Sequence, residues 1–532
     1  MGTIEVPCDG TAPPAPSQKR DREYGMCVDP LIDERSENRK EEIQRKLTTM
    51  SEEGRLYKIW KFIHKHRPGK PVRPLRNIQG GYNAVFGLEF TDGAAIMRVA
   101  LPGVNAFAEK VRVEAATLRY IERMTSIPVP HVYHWGTADE SPLGLGPFII
   151  MDHIPHKCSL ADVLNDPSVE DPKEQYLDPN VPREKLDRVY GQVARIMLEL
   201  SRLEMSRIGS LVYDEDRDAF TVGSRPLTQD MNDLVAVGGI PPCVLPPEPT
   251  TYTSSQEWYE VLADLHVAHL TFQRNEAIMS ADDCRDKFVA RYLFRQQVRQ
   301  GKLLPDWEGG LSKKDKEEKF KLCIDDFRPH NILIDADLNI VGVIDWEWAY
   351  FAPASFRHDP PWWLLLSHPE FWRNSVLDWR DEFSNVLDVF CRALQHVEEK
   401  EEEEKREDDG EWSIDQHIDA LSLDPKEESP MTLLLSERMR QSWDAGTFWA
   451  NYAARRFYGF DPVFWEFLDE RFFHKNTEGG FEGRMHLLPD RVRKRMESFV
   501  DKKVEESQEM KIEEWESQQA RDYLAEILAD LD

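Results

Sequence analysis

The chain has 532 residues, with 67 Lys plus Arg against 97 Asp plus Glu, a formal net charge of −30. That balance excludes a nucleic-acid binder and an anionic-membrane binder, which need clustered Lys and Arg to meet phosphates, and no apolar stretch approaches the ~20 residues of a membrane span. Seven Cys, at positions 8, 27, 158, 243, 284, 323 and 391, are odd in number and include no CxxC pair, which argues against a disulfide framework or a thiolate zinc site and for a reducing, cytoplasmic compartment.

The N-terminus carries Val6 where a myristoylation signal needs Ser or Thr, and it lacks the apolar core of a secretory leader. Residues 1–35 mix Pro7, Pro13, Pro14 and Pro16 with small and charged residues, a composition that predicts a disordered arm. From 41 to 66 the pattern is helical, with Leu56, Ile59, Trp60 and Ile63 forming an apolar stripe that Pro68-Gly69 ends. Residues 84–90 and 94–100 read as two strands joined at Thr91-Asp92-Gly93. A helix from about 106 to 124, stopped near Pro128 and Pro130, precedes a short apolar run at 148–151. The region 153–320 reads as mostly helical; its clearest helices are 183–203 and the stretch from Ser280, an N-cap with Asp283 three residues on, to Arg299. Its clearest loop is the Pro-rich segment 238–249. Strand character returns at 332–334 and 340–344, around a turn at 335–339. Residues 398–411, with ten acids and three bases, read as a solvated surface insertion extending to about 430; the aromatics of 443–473 read as core, and 490–532 as a charged helical ending. At ~100–200 residues per domain the length permits two or three units, or one bilobal enzyme with extensions.

Chemistry gathers at three places. In the second strand of the early hairpin, alternation puts Ile96, Arg98 and Ala100 on one face. In the next helix Val111, Glu114, Leu118 and Ile121 share a face, so Glu114 lies among apolar neighbours and needs a cation. Pairing it with Arg98 would orient a guanidinium toward an anion such as a nucleotide's phosphates. Upstream, Gly80-Gly81 lets the backbone approach a phosphate closely, without the GxxxxGK[ST] pattern of a Walker loop. The third segment runs from Cys323-Ile324-Asp325-Asp326 through Asn331 to Asp345-Trp346-Glu347. With the hairpin turn centred near Leu338, Asn331 and Asp345 fall opposite each other, ~5 Å apart at Cβ, a gap one Mg²⁺ bridges with a carboxamide oxygen and a carboxylate. Asp326, in the preceding loop, is placed to accept a proton from a hydroxyl aimed at a metal-bound phosphate.

This ordered set resembles the aminoglycoside-phosphotransferase-like family, a fungal-type branch included, within the protein-kinase-like fold. The resemblance covers residues about 75–355 and thins out to about 480. It implies an α+β, bilobal fold: a small antiparallel-sheet N-lobe over 36–152 with a leading helix, a large, mainly helical C-lobe over 153–485, and a charged helix at 486–532. It further implies that Gly80, Gly81, Arg98 and Glu114 bind the nucleotide, that main-chain groups of Asp152 and Ile154 in Met151-Asp152-His153-Ile154-Pro155 meet adenine, that Asp326 is catalytic, and that Asn331 and Asp345 hold Mg²⁺. ATP and Mg²⁺ are then the expected cofactors and a small molecule the expected acceptor, since an Ala-Pro-Glu activation segment is missing from the sequence.

Two departures bear on activity. The family's catalytic loop commonly has His two residues before its aspartate, where this chain has Ile324, and Arg98 stands where Lys is usual. A nucleotide-binding pseudokinase or scaffold is therefore a second reading. A metal-dependent hydrolase built on His153, His156 and Cys158, or on His266 and His269, is a third; neither cluster carries a helix-spaced catalytic Glu.

Overall fold

The computed structural model describes residues 25–26, 28–52, 54–75, 78–79, 83–101, 105–171, 174–305, 318–410 and 433–532. Helix α1 spans Pro30–Glu52 and α2 spans Leu56–His66. The expected arm of 1–35 is thus corrected at its end, since its last six residues are already helical, and the single helix expected over 41–66 is two helices.

Six strands follow: β1 (Pro71–Pro74), β2 (Ile78–Gln79), β3 (Asn83–Phe90), β4 (Gly93–Ala100), β5 (Val132–Gly136) and β6 (Phe148–Asp152), with α3 (Lys110–Met124) between β4 and β5. They form one antiparallel sheet in the order β1-β3-β4-β6-β5, with β2 also on β3. Phe90 pairs with Gly93 across the two-residue turn Thr91-Asp92. Period-two alternation divides the sheet's faces. Phe86, Leu88, Ala95, Met97, Val99, Phe148 and Ile150 bury one face under Leu56, Ile59 and Ile63 of α2. On the other face Ile149 and Met151 join Val111, Leu118 and Ile121 of α3 in the main core.

The rest of the chain is chiefly helical: β7 (Cys158–Ser159), α4 (Leu160–Leu164), α5 (Arg183–Ser201), β8 (Glu204–Met205), β9 (Ser210–Asp214), β10 (Ala219–Ser224), α6 (Gln229–Ala236), α7 (Ser255–Phe272) and α8 (Ala281–Arg299). Ser280 caps α8 by accepting from the Asp283 amide. Within 153–320, expected to be mostly helical, the β9–β10 hairpin was not anticipated. Strand β11 (Phe320–Ile324) enters the loop of Asp326, and β12 (Ile332–Ile334), β13 (Ile340–Val343) and β14 (Ala349–Ala352) complete two small antiparallel sheets. Helices α9 (Ala354–His358), α10 (Val376–Gly410), α11 (Leu435–Asp444), α12 (Thr447–Arg455), α13 (Phe460–Val463), α14 (Asp469–Phe473), α15 (Asp490–Ser507) and α16 (Ser517–Leu531) close the chain.

The acidic run from 398 forms the end of α10 and is exposed at 402–406, as expected of a solvated surface, but its first member is internal: Glu398 accepts from the Leu435 and Ser436 amides at 2.6 and 3.3 Å, capping α11. Residues 411–430 of that expected insertion lie outside the described residues. Phe448, Trp449, Phe460 and Phe464 are core, as aromatic periodicity predicts. The charged ending is two helices, anchored by buried Ile527 and Leu531 and by Arg295 on Asp532 at 2.5 Å.

Candidate active site

The sheet face turned away from α2 forms one wall of a cavity of about 570 Å³. Asn83, Val85, Gly87, Ile96 and Arg98 line it from β3 and β4, Met151 to Ile154 from the end of β6, and Asp326, Arg328, Ile344, Asp345 and Glu347 from the opposite side. Residues distant along the chain therefore meet at one opening.

Arg98 is the junction. One guanidinium nitrogen donates to Glu114 and another to Asp345 Oδ1 at 2.6 Å, with Glu347 3.8 Å away. Glu347 is in turn held by Lys110 at 2.8 Å and by the Asn83 amide at 3.3 Å. This buried group sets three carboxylates, of Glu114, Asp345 and Glu347, against two cations, Arg98 and Lys110. One negative charge is left uncompensated in a setting where charge is costly. Glu114 Oε1, moreover, is buried without a hydrogen-bond partner. Burial is the largest influence on Glu114 and pushes its carboxyl up to about 7 against the opposing pull of Arg98. Asp345 is likewise raised by burial and then by Glu347. The third carboxylate, Glu347, is held below its ordinary value by Lys110 and Arg98 against the effect of burial.

Sequence arithmetic placed Asn331 opposite Asp345, and the register corrects this by one residue. Ile332 pairs with Val343 and Leu333 with Gly342, and the pairing shifts at Ile334↔Ile340, so the Ile344 amide meets the Asn331 carbonyl at 2.9 Å. Asp345 comes next, at φ +66°, a left-handed conformation rare outside glycine and frequent at functional sites. Its carboxylate reaches the cavity wall; Asn331 stands behind Asp326, donating from Nδ2 to the Asp326 carbonyl at 2.8 Å and to its carboxylate at 3.0 Å.

Asp326 is 8% exposed. Arg328 Nε lies 2.7 Å from Asp326 Oδ1, oriented as a charge contact rather than a hydrogen bond. Burial, reinforced by Asp345 and Glu347 and opposed by Arg328 and Asn331, pushes the Asp326 carboxyl up to about 6.

At the end of β6 the Asp152 amide is taken by the His131 carbonyl at 3.0 Å and the Asp152 carboxylate by the Tyr133 hydroxyl at 2.6 Å. Ile154 lines the cavity, held there because Gly342 leaves room: a Cβ on Gly342 would stand 2.5 Å from Ile154 Cδ1. Gly80 and Gly81 lie outside the described residues. Sequence reasoning missed Lys110 and Arg328 as members of the site, took Asn83 only as the end of the Gly80-Gly81-Tyr82-Asn83 loop that resembles a nucleotide loop, and treated Glu347 only as a neighbour of Asp345.

The hydrolase alternative has no geometric basis. Among the described residues no group of three or more His, Cys, Asp or Glu could hold a metal ion. His266 and His269 are fully buried, bonded to the Ala454 carbonyl at 3.2 Å and to Gln273 Oε1 at 2.8 Å, and burial holds both rings neutral.

No family model and no curated protein matches the sequence. Among solved structures the chain is similar to aminoglycoside phosphotransferase APH(4)-Ia, at 16% identity over 77% of this chain and 98% of that one, with a TM-score of 0.36. A thermostable mutant of that protein, crystallised as a ternary complex with AMP-PNP and hygromycin B, matches at 15% identity over 73% and 98%, with a TM-score of 0.35. An aminoglycoside-3'-phosphotransferase of type VIII matches at 15% identity over 63% and 97%, with a TM-score of 0.29. Likeness at this level assigns no activity, and what the chain does rests on its own residues. Among the described residues no helix is long and apolar enough to cross a membrane.

Proposed function

We propose that the chain is an ATP- and Mg²⁺-dependent phosphotransferase of the aminoglycoside-phosphotransferase-like family, moving the γ-phosphoryl group to a hydroxyl or amine of a small molecule. The observation that carries this reading is the convergence of Arg98, Asp326 and Asp345 on one cavity, with Glu114 behind the first and Asn331 behind the second. The sheet side, residues 36–152, is read as the nucleotide-binding lobe and 153–485 as the acceptor-binding lobe. Arg98, steadied by Glu114, would meet the α- and β-phosphates. Asp345 and the Asn331 carboxamide oxygen would hold Mg²⁺, whose chemistry there is to neutralise phosphate oxygens; two oxygen donors completed by phosphates and water suit that ion. Main-chain groups of Asp152 and Ile154 would take the adenine edge, and Gly80-Gly81 would cover the phosphates. Asp326 takes the acceptor's proton as its oxygen bonds to phosphorus and the bond to the leaving oxygen breaks.

The direct test incubates the full chain with Mg²⁺, labelled ATP and a panel of hydroxyl- and amine-bearing metabolites, beside its Asp326→Asn variant. Mutant-sensitive label transfer is the expected result. Nucleotide binding without transfer to any acceptor would favour the pseudokinase or scaffold reading, which Ile324 and the Arg328 contact on Asp326 support.

The adenine position has its own test. Gly342→Ala would push the Ile154 side chain toward the cavity and is expected to raise the KM for ATP several-fold with kcat little changed. Equal KM values would remove Ile154 from the nucleotide site.

A further inference from the structure

A second cavity, of about 520 Å³, opens between the C-terminal end of α5, β11 and helices α9 to α11. On a chain of net charge −30 its wall is unexpectedly cationic, with Arg202, Lys321, Arg357, Lys405 and Arg438 all contributing. The carboxylates around it are already engaged. Glu398 caps α11, Glu401 pairs with Arg202, Glu204 pairs with Lys321, and Glu402 accepts from Arg406 at 3.4 Å. Among the described residues Arg357, Lys405 and Arg438 form no ion pair with a carboxylate; Arg438 donates to the Leu433 carbonyl, at 3.3 Å.

Arg357 is the most telling of them. It is 7% exposed, its Nη2 donates only to the Met197 carbonyl at 3.1 Å, and its Nε is buried with no partner. An unpaired buried guanidinium is expensive, and burial together with Arg455 pulls its pKa below the ordinary value. A fold keeps such a group where something else supplies the counter-charge.

We infer that this cavity binds a small, multivalent, phosphate-bearing anion, with Arg357 at its floor and Lys405 and Arg438 at its rim. Three cations without a carboxylate partner among the described residues, arriving from α9, α10 and α11, suit a compact group of charge −2 or more with oxygens pointing several ways; a single carboxylate offers two oxygens in one plane. The volume is in the ~300–1,000 Å³ range of small-molecule sites. Arg357 also lines a smaller cavity of about 80 Å³ with Asp325 and Phe327, so it joins the anion site to the back of the loop that carries Asp326.

Calorimetric titration of the full chain with pyrophosphate tests this. The variant Lys405→Ala/Arg438→Ala alters one exposed and one half-buried rim group, and is expected to weaken pyrophosphate about tenfold or more while leaving ADP affinity unchanged. Pyrophosphate held instead beside Arg98 would be indifferent to that variant, and indifference overturns the proposal. Arg357→Gln is expected to abolish the binding; if it fails to fold, the rim variant decides alone. Citrate binding as tightly as pyrophosphate would overturn the assignment to phosphate, and a hexaglutamate peptide binding more tightly than pyrophosphate would give the surface to an acidic protein partner instead.

Discussion

Replacing Asp326 by Asn is expected to lower phosphoryl transfer by about 10²- to 10⁴-fold, the range that a positioned proton acceptor contributes, with little change in nucleotide affinity. Asn is the informative substitution because its carbonyl oxygen can still accept from Asn331 Nδ2, now 3.0 Å from the carboxylate, so the loop keeps its shape while the proton acceptor is lost. The pH profile sharpens the test. A general base works deprotonated, and burial pushes the Asp326 carboxyl up to about 6, so the wild-type rate is expected to rise through an acid limb near that pH. The Asn variant should lose this limb along with its rate. Arg328 opposes the upward shift, so Arg328→Ala is expected to carry the limb to higher pH. A profile flat through this region in the wild type, or one that Arg328→Ala moves downward, would take the proton-accepting role away from Asp326.

The parts of this site legible in the sequence are those fixed by local periodicity. The β3–β4 hairpin was readable because apolar residues alternate on both sides of a two-residue turn. The Arg98–Glu114 pair followed from a carboxylate on the apolar stripe of α3 and a cation on a strand between apolar neighbours, each needing the other. The parts that escaped depend on register or on distant chain. The hairpin turn centres on Asp337 rather than Leu338, and an irregularity between Leu333 and Ile334 offsets only part of that displacement, so Asn331 meets Ile344 instead of Asp345; nothing in that run of apolar residues announces either. Lys110 sits at the first turn of α3, where a Lys ordinarily faces water, and is drawn inward by Glu347 and by the ring of Trp348, 4.7 Å from its Nζ. The β9–β10 hairpin hides behind the acidic turn Asp214-Glu215-Asp216, whose polarity reads as loop or helix equally well. Helix at Pro30–Glu52 was half missed because its flank is Pro-rich while the buried residues among its described side chains, Ile32 and Ser36, are few.

Removing Arg98 should have the largest effect on stability. Arg98→Ala leaves Glu114, Asp345 and Glu347 facing Lys110 alone, so the buried cluster passes from one uncompensated negative charge to two. Breaking a buried pair by deleting one partner costs about 3–5 kcal/mol, which a urea midpoint at unchanged slope would report. The pH dependence gives the loss a distinctive form. Burial already raises Glu114 from an ordinary 4.5 to about 7 in the presence of Arg98, and without the guanidinium it should rise further. A carboxyl raised in the folded state holds more protons there than in the unfolded chain, so its contribution to stability falls as pH rises across the window between the two values. The deficit of Arg98→Ala is therefore expected to shrink as pH is lowered from about 8 toward about 5, because protonation removes the repulsion that the arginine used to neutralise. Arg98→Lys should recover much of the stability by restoring a charge, but not the two-sided fork that engages Glu114 and Asp345 together, so its affinity for nucleotide should remain reduced. If Arg98→Ala matched the wild type in urea at every pH, the three carboxylates would not be repelling one another, and the charge surplus of the buried cluster would be absent.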